Sequence, residues 1–551
     1  MDTKRLILFV IFSFSILMLW DSWQPKTNIP ATTATTKTIE DASVPQAANN
    51  TMASANNQAP ALPVESGFQL LNGQSITVET DLFKANISTV GGDLRKLELI
   101  KHRAADATNK NFVLMDDSAN PVLYVAQTGL IGADLPTHKT IFTSTASTYK
   151  MLNGSNQLEV RLTWNGSNGV LVDKVYTFHR GQYAVDVTYQ IHNGSSVAIT
   201  PSVYYQIIHD SLSNQGSMMM PTFTGGAYFT EEDKFKKLSF SDMEKSDLSK
   251  SSKNGWVGLV QHYFVSAWIP KAGLAREYYS KKLNDKNFAI GSLSALGNIA
   301  PGASLTVPAR LYAGSQTQTD LKATAPGLEY TVDYGWLTVI AAPLFWVLSK
   351  IHDLVQNWGV AIILLTVLIK AAFYPLSAAS YRSMAHMREI APRLQSLKEK
   401  FGDDRQKLQE AMMELYKTEK INPMGGCLPV LVQIPVFISL YWVLLASVEL
   451  RHAPFMLWIH DLSAIDPFYV LPVLMGATMI IQTRLNPTPP DPIQAKVMMV
   501  MPVVFSVFFF FFPAGLVLYW LVNNVLSIAQ QWYINRATEQ ATAAKKQSNK
   551  R

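Results

Sequence analysis

The residue with the clearest chemical consequence is Lys370, which lies inside an apolar run long enough to enter a lipid bilayer. The run Trp358–Tyr374 reads WGVAIILLTVLIKAAFY. A charged side chain at the centre of a bilayer costs about 2.5–3.5 kcal/mol on insertion scales, so it needs a partner, a water-filled cavity or access to the membrane surface. Thr366 lies four residues earlier, so a helix places both side chains on one face. The run therefore predicts a membrane helix with one polar face.

Polar side chains also occur in two later apolar stretches. Gln433 lies inside the stretch Leu428–Ser447. In the stretch Ala514–Asn535, polar residues recur every four positions, at Tyr519, Asn523, Ser527 and Gln531. Such groups often only join one membrane helix to another, at about 0.6 kcal/mol for each hydrogen bond. Three polar faces together favour a hydrated cavity that is closed on the outside and open to lipid or cytoplasm, although Lys370 could instead extend to the inner membrane surface.

Apolar stretches in the C-terminal part of the chain must position these side chains. They are about Val355–Tyr374, Leu428–Ser447, Phe468–Thr483, Ile493–Phe512 and Ala514–Asn535. An amphiphilic lead-in, Gly335–Ile351, precedes them. Lysine and arginine concentrate after the first stretch, around the connection between the third and fourth, and in the C-terminal tail. Because basic residues stay on the cytoplasmic side of membranes, these segments are predicted to lie inside.

A further apolar stretch, Leu6–Trp20, follows Lys4 and Arg5, which is the charge order of a secretory signal. No small-x-small cleavage site follows closely, so residues 1–23 are predicted to form an uncleaved signal anchor, with a cleaved signal as the alternative. The sequence then predicts six spans with both termini inside. The segment between the first two spans is predicted to lie outside.

Composition predicts the remaining domain boundaries. Residues 24–66 are rich in Thr, Ala, Asn, Gln and Pro, which is typical of a flexible linker. Residues 67–325 are predicted to form the external domain, residues 335–536 the membrane core and residues 537–551 a basic tail. The net charge is only +6, and the basic residues lie beside predicted spans, so specific nucleic-acid recognition is not expected.

The external domain has the period-two pattern of strands that are buried on one face. Alternation is clear from Leu158 to Trp164 and from Tyr183 to Ile191. Asn-Gly pairs, which favour hairpin turns, lie between such runs and begin at Asn153, Asn165, Asn168 and Asn193. The pattern predicts a large antiparallel β-sandwich. Catalytic and metal-binding motifs are absent from the sequence, and the single Cys427 excludes an intramolecular disulfide. We therefore expect no enzymatic activity, metal or cofactor.

Residues 378–420 are predicted to form a helical hairpin with a methionine-bearing apolar face. Met384, Met387 and Met412 fall on apolar positions spaced three and four apart. Asp403 and Gln406 resemble a capping box between the helices, and Pro392 should kink the first helix or start a new one. The stripe is either the seam of the hairpin itself or a surface for varied apolar partners, for which flexible methionines are suited.

Three long segments carry a resemblance to a known family. They are Asn422–Pro435 (NPMGGCLPVLVQIP), Trp458–Leu462 (WIHDL) and Phe512–Trp520 (FPAGLVLYW). Together with the basic hairpin, they strongly resemble the YidC family of bacterial membrane-protein insertases, in the Gram-negative form with a large periplasmic domain. The resemblance covers the anchor, the external domain and the five-span core.

The resemblance implies a periplasmic β-supersandwich, an inner-membrane location and the insertion and chaperoning of newly made membrane proteins, alone or with the Sec translocon. It also implies a positively charged inner-leaflet groove, whose usual arginine falls on Lys370. The groove and client-binding residues are then Lys370, Thr366, Gln433, Tyr519, Trp520 and Asn523. The hairpin residues that contact client or ribosome are Met384, Met387, Arg388, Met412 and Met413. Membrane lipids are the remaining implied partner.

Two other classes of function stay open on sequence grounds. A small-solute transporter built around the intramembrane lysine predicts paired repeats or broken helices in two halves, and five core stretches do not divide evenly. A membrane-tethered β domain that binds or processes sugars predicts clustered acidic and aromatic loop residues. Deleting most of residues 67–320 separates these interpretations, because an insertase core should keep its activity.

Overall fold

A computed structural model describes most of the chain from residue 70 onward. The described residues are 70–104, 109–118, 123–211, 216–217, 220–401, 404–419, 428–486 and 492–548. The predicted anchor and linker lie outside them, as do Asp403 and Cys427. The described residues divide between Val332 and Asp333 into two compact units, which we call the β unit and the helical unit.

The β unit consists mainly of strands. They are β1 (Ser75–Glu79), β2 (Phe83–Ser88), β3 (Leu94–Arg103), β4 (Asn111–Met115), β5 (Tyr124–Ile131), β6 (Thr143–Ser144), β7 (Thr148–Lys150), β8 (Gln157–Asn165), β9 (Val170–His179), β10 (Ala184–Asn193), β11 (Ser202–Asp210), β12 (Gly216–Ser217), β13 (Met220–Pro221), β14 (Gly225–Thr230), β15 (Lys234–Leu238), β16 (Ser249–Ser252), β17 (Trp256–Gln261), β18 (Phe264–Pro270), β19 (Arg276–Lys282), β20 (Asn287–Ala295) and β21 (Ser304–Ser315). Two short helices, α1 (Phe240–Lys245) and α2 (Gln318–Thr324), accompany them.

Two large sheets pack face to face in the β unit. The ten-stranded sheet has the order β16-β19-β20-β11-β5-β3-β2-β1-β7, with β4 paired to β3. The nine-stranded sheet has the order β15-β14-β17-β18-β21-β10-β9-β8-β6. Trp268 of β18 donates its indole N–H to the carbonyl of Gln206 in β11, at 3.0 Å, and so joins the two sheets. The predicted all-β external domain, followed by a helical C-terminal region, is confirmed.

The alternation predicted from the sequence has a clear structural counterpart in β10. Val185, Val187, Tyr189 and Ile191 are all buried, whereas the residues between them are partly or fully exposed. A strand that buries one face against a second sheet requires this period of two. The inward side chains of both sheets form the core of the β unit.

The Asn-Gly pairs were only partly correct as hairpin predictors. Asn165 is the last residue of β8, and Asn168 lies in the loop between β8 and β9, which are antiparallel neighbours. The pairs at Asn153 and Asn193 instead join strands of different sheets. The Asn193 side chain donates to the carbonyls of Val197 and Ile299, at 2.8 and 2.9 Å, and so supports a crossover. An Asn-Gly pair favours a tight turn, but the partner strand is decided by nonlocal pairing.

A buried ion cluster, formed by Asp93, Arg95 and Lys174, lies between the sheets. Lys174 Nζ of β9 is 3.5 Å from Asp93 Oδ1, and Arg95 Nη2 of β3 is 3.6 Å from Asp93 Oδ2. Lys174 also donates to the carbonyls of Gly91 and Thr128, at 2.9 and 3.3 Å. Burial raises the pKa of Asp93 and lowers the pKa of Lys174 to about 8. No pattern in the sequence marks this cluster.

The helical unit contains eight helices within the described residues. They are α3 (Thr338–Val355), α4 (Trp358–Ala372), α5 (Tyr374–Phe401), α6 (Arg405–Thr418), α7 (Leu428–Ala446), α8 (Val470–Leu485), α9 (Pro492–Phe509) and α10 (Ala514–Ser548). By length and composition, the segment Gly335–Val355 can cross a membrane. The bent pair α4–α5 provides a second span if the two helices are treated as a single broken helix. Shorter apolar helices cover Val432–Ala446, Val470–Leu485 and Lys496–Phe509.

The first predicted stretch, about Val355–Tyr374, contains α4 and extends slightly beyond it at both ends. Gln356 adopts a left-handed conformation that ends α3, and Asn357 caps α4 by accepting from the Val360 N–H at 3.0 Å. At the other end, α4 stops at Ala372 and α5 begins at Tyr374. Pro392 does not start a new helix, because α5 runs through it.

Candidate functional site

Lys370 lies in the last turn of α4, directly before a sharp break in the chain. The axes of α4 and α5 differ by 66° across Phe373. Pro375 follows in the first turn of α5, and a proline has no N–H to continue the hydrogen-bond ladder of the preceding helix. The Phe373 N–H still bonds to the carbonyl of Ile369, at 3.0 Å, and closes α4. The break therefore places Lys370 in the final turn of α4.

The Lys370 ammonium is directed to the neighbouring helix α10. Its Nζ donates to Ser527 Oγ at 2.7 Å, and Ser527 Oγ in turn donates to the carbonyl of Asn523 at 2.7 Å. Ser527 is buried. Within the described part of the chain, no carboxylate forms an ion pair with Lys370. The site therefore contains a cation that has a neutral hydroxyl as its partner.

The other two predicted polar residues at helix interfaces bond in different ways. Thr366 is buried and donates its hydroxyl to the carbonyl of Ile362 in its own helix, at 2.7 Å. Gln433 of α7 donates from Nε2 to Ser377 Oγ of α5, at 3.1 Å. Gln433 thus links two helices, whereas the Thr366 hydroxyl hydrogen is used in a bond within α4. Ser377 was not predicted from the sequence, because no periodic pattern marks it.

The predicted aromatic pair packs around one phenylalanine. The rings of Tyr519 and Trp520 lie 5.1 and 5.6 Å from the ring of Phe437 on α7, and the Trp520 ring is 4.3 Å from that of Phe509 on α9. Tyr519 is buried. Trp520 Nε1 is a buried donor for which the described residues provide no acceptor. The pair therefore connects α10 with α7 and α9.

The start of α10 is held by the loop that precedes α8. The N–H groups of Ala514 and Gly515 donate to the carbonyls of Ala464 and Leu462, at 2.7 and 2.8 Å. Ala514 is fully buried there. This contact fixes the first turn of α10, and with it the direction in which Tyr519, Asn523 and Ser527 project.

A cavity of about 420 Å³ opens beside α10. It is lined by methionine and polar side chains of α8, phenylalanines of α9, Phe437 of α7, and Trp520, Asn523 and Asn524 of α10. Lys370, Thr366, Gln433 and Tyr519 do not line it. The predicted groove residues are thus divided between the Lys370 cluster and this amphiphilic cavity. Asn523 belongs to both, because its side chain lines the cavity and its carbonyl accepts from Ser527.

The predicted hairpin corresponds to α5 and α6, which pack together. Arg393 of α5 forms an ion pair with Glu419, directly after α6, at 2.5 Å. Ile390 and Leu394 are buried on the stripe. The predicted contact residues have different environments: Met384, Met387 and Met412 are half-buried, Met413 is exposed, and Arg388 donates to the carbonyl of Leu485 at the end of α8.

The cap of α6 differs from the predicted one. Asp404 accepts from the Lys407 N–H at 3.2 Å, so Asp404 is the N-cap residue. The predicted partner Asp403 lies outside the described residues. In the parts of the chain that the structure describes, no group of three or more His, Cys, Asp or Glu side chains is arranged to hold a metal ion.

Comparison with known proteins covers both units. A family model for the YidC periplasmic domain matches residues 75–347, and a model for the 60Kd inner membrane protein matches residues 350–542. The chain is 71% identical to the membrane protein insertase YidC of Methylobacillus flagellatus over 100% of both chains. It is 52% identical to that of Nitrosospira multiformis over 98% of both. A crystal structure of an active YidC insertase is 20% identical, with a TM-score of 0.39, over 84% of this chain and 93% of that chain. The two family models and the two relatives of 71% and 52% identity show that the chain belongs to the YidC family of membrane protein insertases.

Proposed function

We propose that this protein inserts newly synthesised proteins into the bacterial inner membrane and assists their folding, alone or with the Sec translocon. The full-length similarity to membrane protein insertases supports the activity. The observation that carries the mechanism is the Lys370 ammonium, which is held inside the helical unit by a hydroxyl and has no carboxylate partner within the described residues. A cation inside a membrane protein is by default a candidate functional site, and we propose that this one binds a transient negative charge.

The proposed groove lowers the barrier for a short hydrophilic segment of the client. Acidic side chains of that segment approach Lys370, while the polar groups of Gln433 and Asn523, with Thr366 as an acceptor, replace part of their water. Burying a polar group without a hydrogen bond costs about 1–3 kcal/mol in proteins, so each replacement reduces the cost of entry. Tyr519 and Trp520 border the apolar path along which the hydrophobic part of the client moves into lipid.

The proposed topology has six spans, with both termini in the cytoplasm and the β unit in the periplasm. α8 has 16 residues, which is about 24 Å at 1.5 Å per residue and shorter than a typical hydrocarbon core of about 30 Å. We propose that α7, α8 and α9 cross the membrane all the same, where a locally thinner bilayer accommodates short spans.

The α5–α6 hairpin and the basic tail are proposed to receive the client or the ribosome. Met413 is exposed, and Met384, Met387 and Met412 are accessible in part. Methionine side chains adapt to different apolar partners. Arg388 is proposed to orient the hairpin on α8 through its bond to Leu485. The named relatives are insertases, so this protein is not an enzyme, and the transporter interpretation has no support from the comparisons.

Substitution of Lys370 tests this proposal. In proteoliposomes, Lys370→Met should reduce the insertion of a Sec-independent client with an acidic external segment by about tenfold, roughly the effect of removing one hydrogen bond to a charged group. Lys370→Arg should keep most of the insertion, because it keeps the charge. Lys350→Met is the matched control, since Lys350 is an exposed lysine of the same unit that pairs with Asp353. Equal insertion by wild type and Lys370→Met would contradict the groove-charge mechanism.

A further inference from the structure

The orientation of Lys370 requires an explanation, because a lysine at the end of a membrane helix has an easier alternative. Lys370 is in the last turn of α4. A lysine there can extend its flexible stem to the membrane surface and keep its ammonium in water. The ammonium instead lies across the helix interface, 2.7 Å from Ser527 of α10. Something on α10 must stabilise this orientation.

The hydrogen-bond directions around Ser527 make it a one-way acceptor for Lys370. An ammonium group can only donate, and a backbone carbonyl can only accept. The Ser527 hydrogen is used at the Asn523 carbonyl, at 2.7 Å, so a lone pair of Ser527 Oγ faces Lys370 Nζ. Ser527 is 4% exposed, and water therefore competes poorly for this lone pair. Hydrogen bonds to charged groups are stronger than neutral ones.

We propose that Ser527 is a positioning residue, which holds the Lys370 ammonium at α10 with part of its donor capacity left for a carboxylate of the client. An ammonium has three N–H donors, and Ser527 takes one of them. No carboxylate of the described residues takes the others. The consequence for client selection rests on the proposed insertase function, whereas the position of the ammonium does not.

The position is measured on the full-length protein in lipid nanodiscs. A water-soluble, amine-reactive acylating reagent is added briefly, and mass spectrometry gives the labelling of Lys370 relative to the exposed Lys350. Ser527→Ala should raise this ratio about threefold, which corresponds to the loss of one average hydrogen bond between membrane helices. Ser527→Thr keeps the hydroxyl and should keep the wild-type ratio.

Ser439→Ala is the matched control for general loosening of the bundle. Ser439 is also buried, and its hydroxyl also donates to a carbonyl of its own helix, that of Pro435, at 2.7 Å. Lys370 donates to Ser527 and not to Ser439. A wild-type ratio in Ser527→Ala would overturn the proposal. An equal rise in Ser439→Ala would overturn it as well, because the effect would then be unspecific.

The second readout is the preference for an acidic client over the same client with Asp and Glu replaced by Asn and Gln. Ser527→Ala should reduce this preference, and Ser527→Thr should restore it. If labelling rises while the preference stays unchanged, the positioning of Lys370 stands and the groove-charge mechanism fails. If labelling does not change while Lys370→Met removes the preference, the mechanism stands and the positioning by Ser527 is overturned.

Discussion

Lys174 in the β unit is fully buried, whereas Lys370 in the helical unit is only partly buried, and the two lysines have different partners. The Lys174 side chain is fully buried beside the Asp93 carboxylate, and it also donates to two backbone carbonyls. Lys370 donates to the hydroxyl of Ser527, without a carboxylate partner among the described residues. The first lysine shares its carboxylate within an ion cluster, and the second keeps donors that no carboxylate of the described residues uses.

We interpret the paired charge as one that serves the fold, and the proposed mechanism assigns the other charge to the activity. A paired charge between two sheets is costly to disturb, because removal of either partner leaves the other charge buried without compensation. A charge with a neutral partner adds little stability, and its retention in a bundle of apolar helices requires another benefit. The free energy of unfolding tests this distinction. For the β unit it is measured by proteolysis in urea, on the full-length protein in detergent.

The largest loss is expected for Asp93→Asn. This change leaves the cations Lys174 and Arg95 buried without their shared carboxylate. Removing one partner of a buried ion pair costs about 3–5 kcal/mol. A loss below about 1 kcal/mol, similar to that of a surface pair, would show that the cluster contributes nothing special.

A smaller loss is expected for Lys174→Met. Asp93 then keeps Arg95 as its partner, but the carbonyls of Gly91 and Thr128 lose a buried donor. A buried group left without a partner costs about 1–3 kcal/mol. Urea titration of the same preparation gives the difference between the two variants. A larger loss in Lys174→Met than in Asp93→Asn would reverse the assignment of the carboxylate as the centre of the cluster.

For Lys370→Met, the stability of the helical unit should change by less than about 1 kcal/mol, since one intramembrane hydrogen bond contributes about 0.6 kcal/mol. The Ser527 hydroxyl keeps its bond to Asn523. The change also leaves no carboxylate of the described residues unpaired, because none of them pairs with Lys370. The thermal unfolding midpoint of the helical unit, followed by helical circular dichroism, checks this. A large loss of stability would place Lys370 in the same structural class as Lys174.

The smallest effect is expected at Asp186, a half-buried carboxylate of the β unit that pairs with His179 and Arg310. Burial alone would raise the pKa of Asp186, but hydrogen bonds from Arg310 and His179 hold this pKa below its usual value of 3.8. A carboxyl whose folded pKa is lowered adds stability above its unfolded pKa and loses it as the pH falls through the folded value. Asp186→Asn should therefore cost less than about 1 kcal/mol at neutral pH and flatten the acid slope below about pH 4. An unchanged acid slope would exclude this contribution.

Several features of the fold could be predicted because they depend on local patterns. Alternating residues from Tyr183 to Ile191 predicted a one-sided strand, and β10 has that burial. The Asn193-Gly194 pair predicted a hairpin and was wrong, because β10 and β11 join different sheets. Local turn chemistry contains no information on which strand becomes the neighbour.

The candidate site was likewise predictable from the sequence only in part. The polar character of Lys370, Asn523 and Ser527 was evident from their spacing in apolar stretches. The bond between Lys370 and Ser527 was not, because the two residues are 157 positions apart and meet only where α4 packs on α10. The cavity beside Asn523 likewise needs side chains from four helices.

The amino-acid sequence alone determined the element types, the apolar helices that carry polar residues, and the family, because each of these follows from composition, periodicity or long ordered segments. Only the tertiary structure decided that Lys174 is paired with Asp93 and that Lys370 reaches Ser527. The physical reason is that burial and compensation of a charge depend on which distant groups the packed elements bring within hydrogen-bond distance.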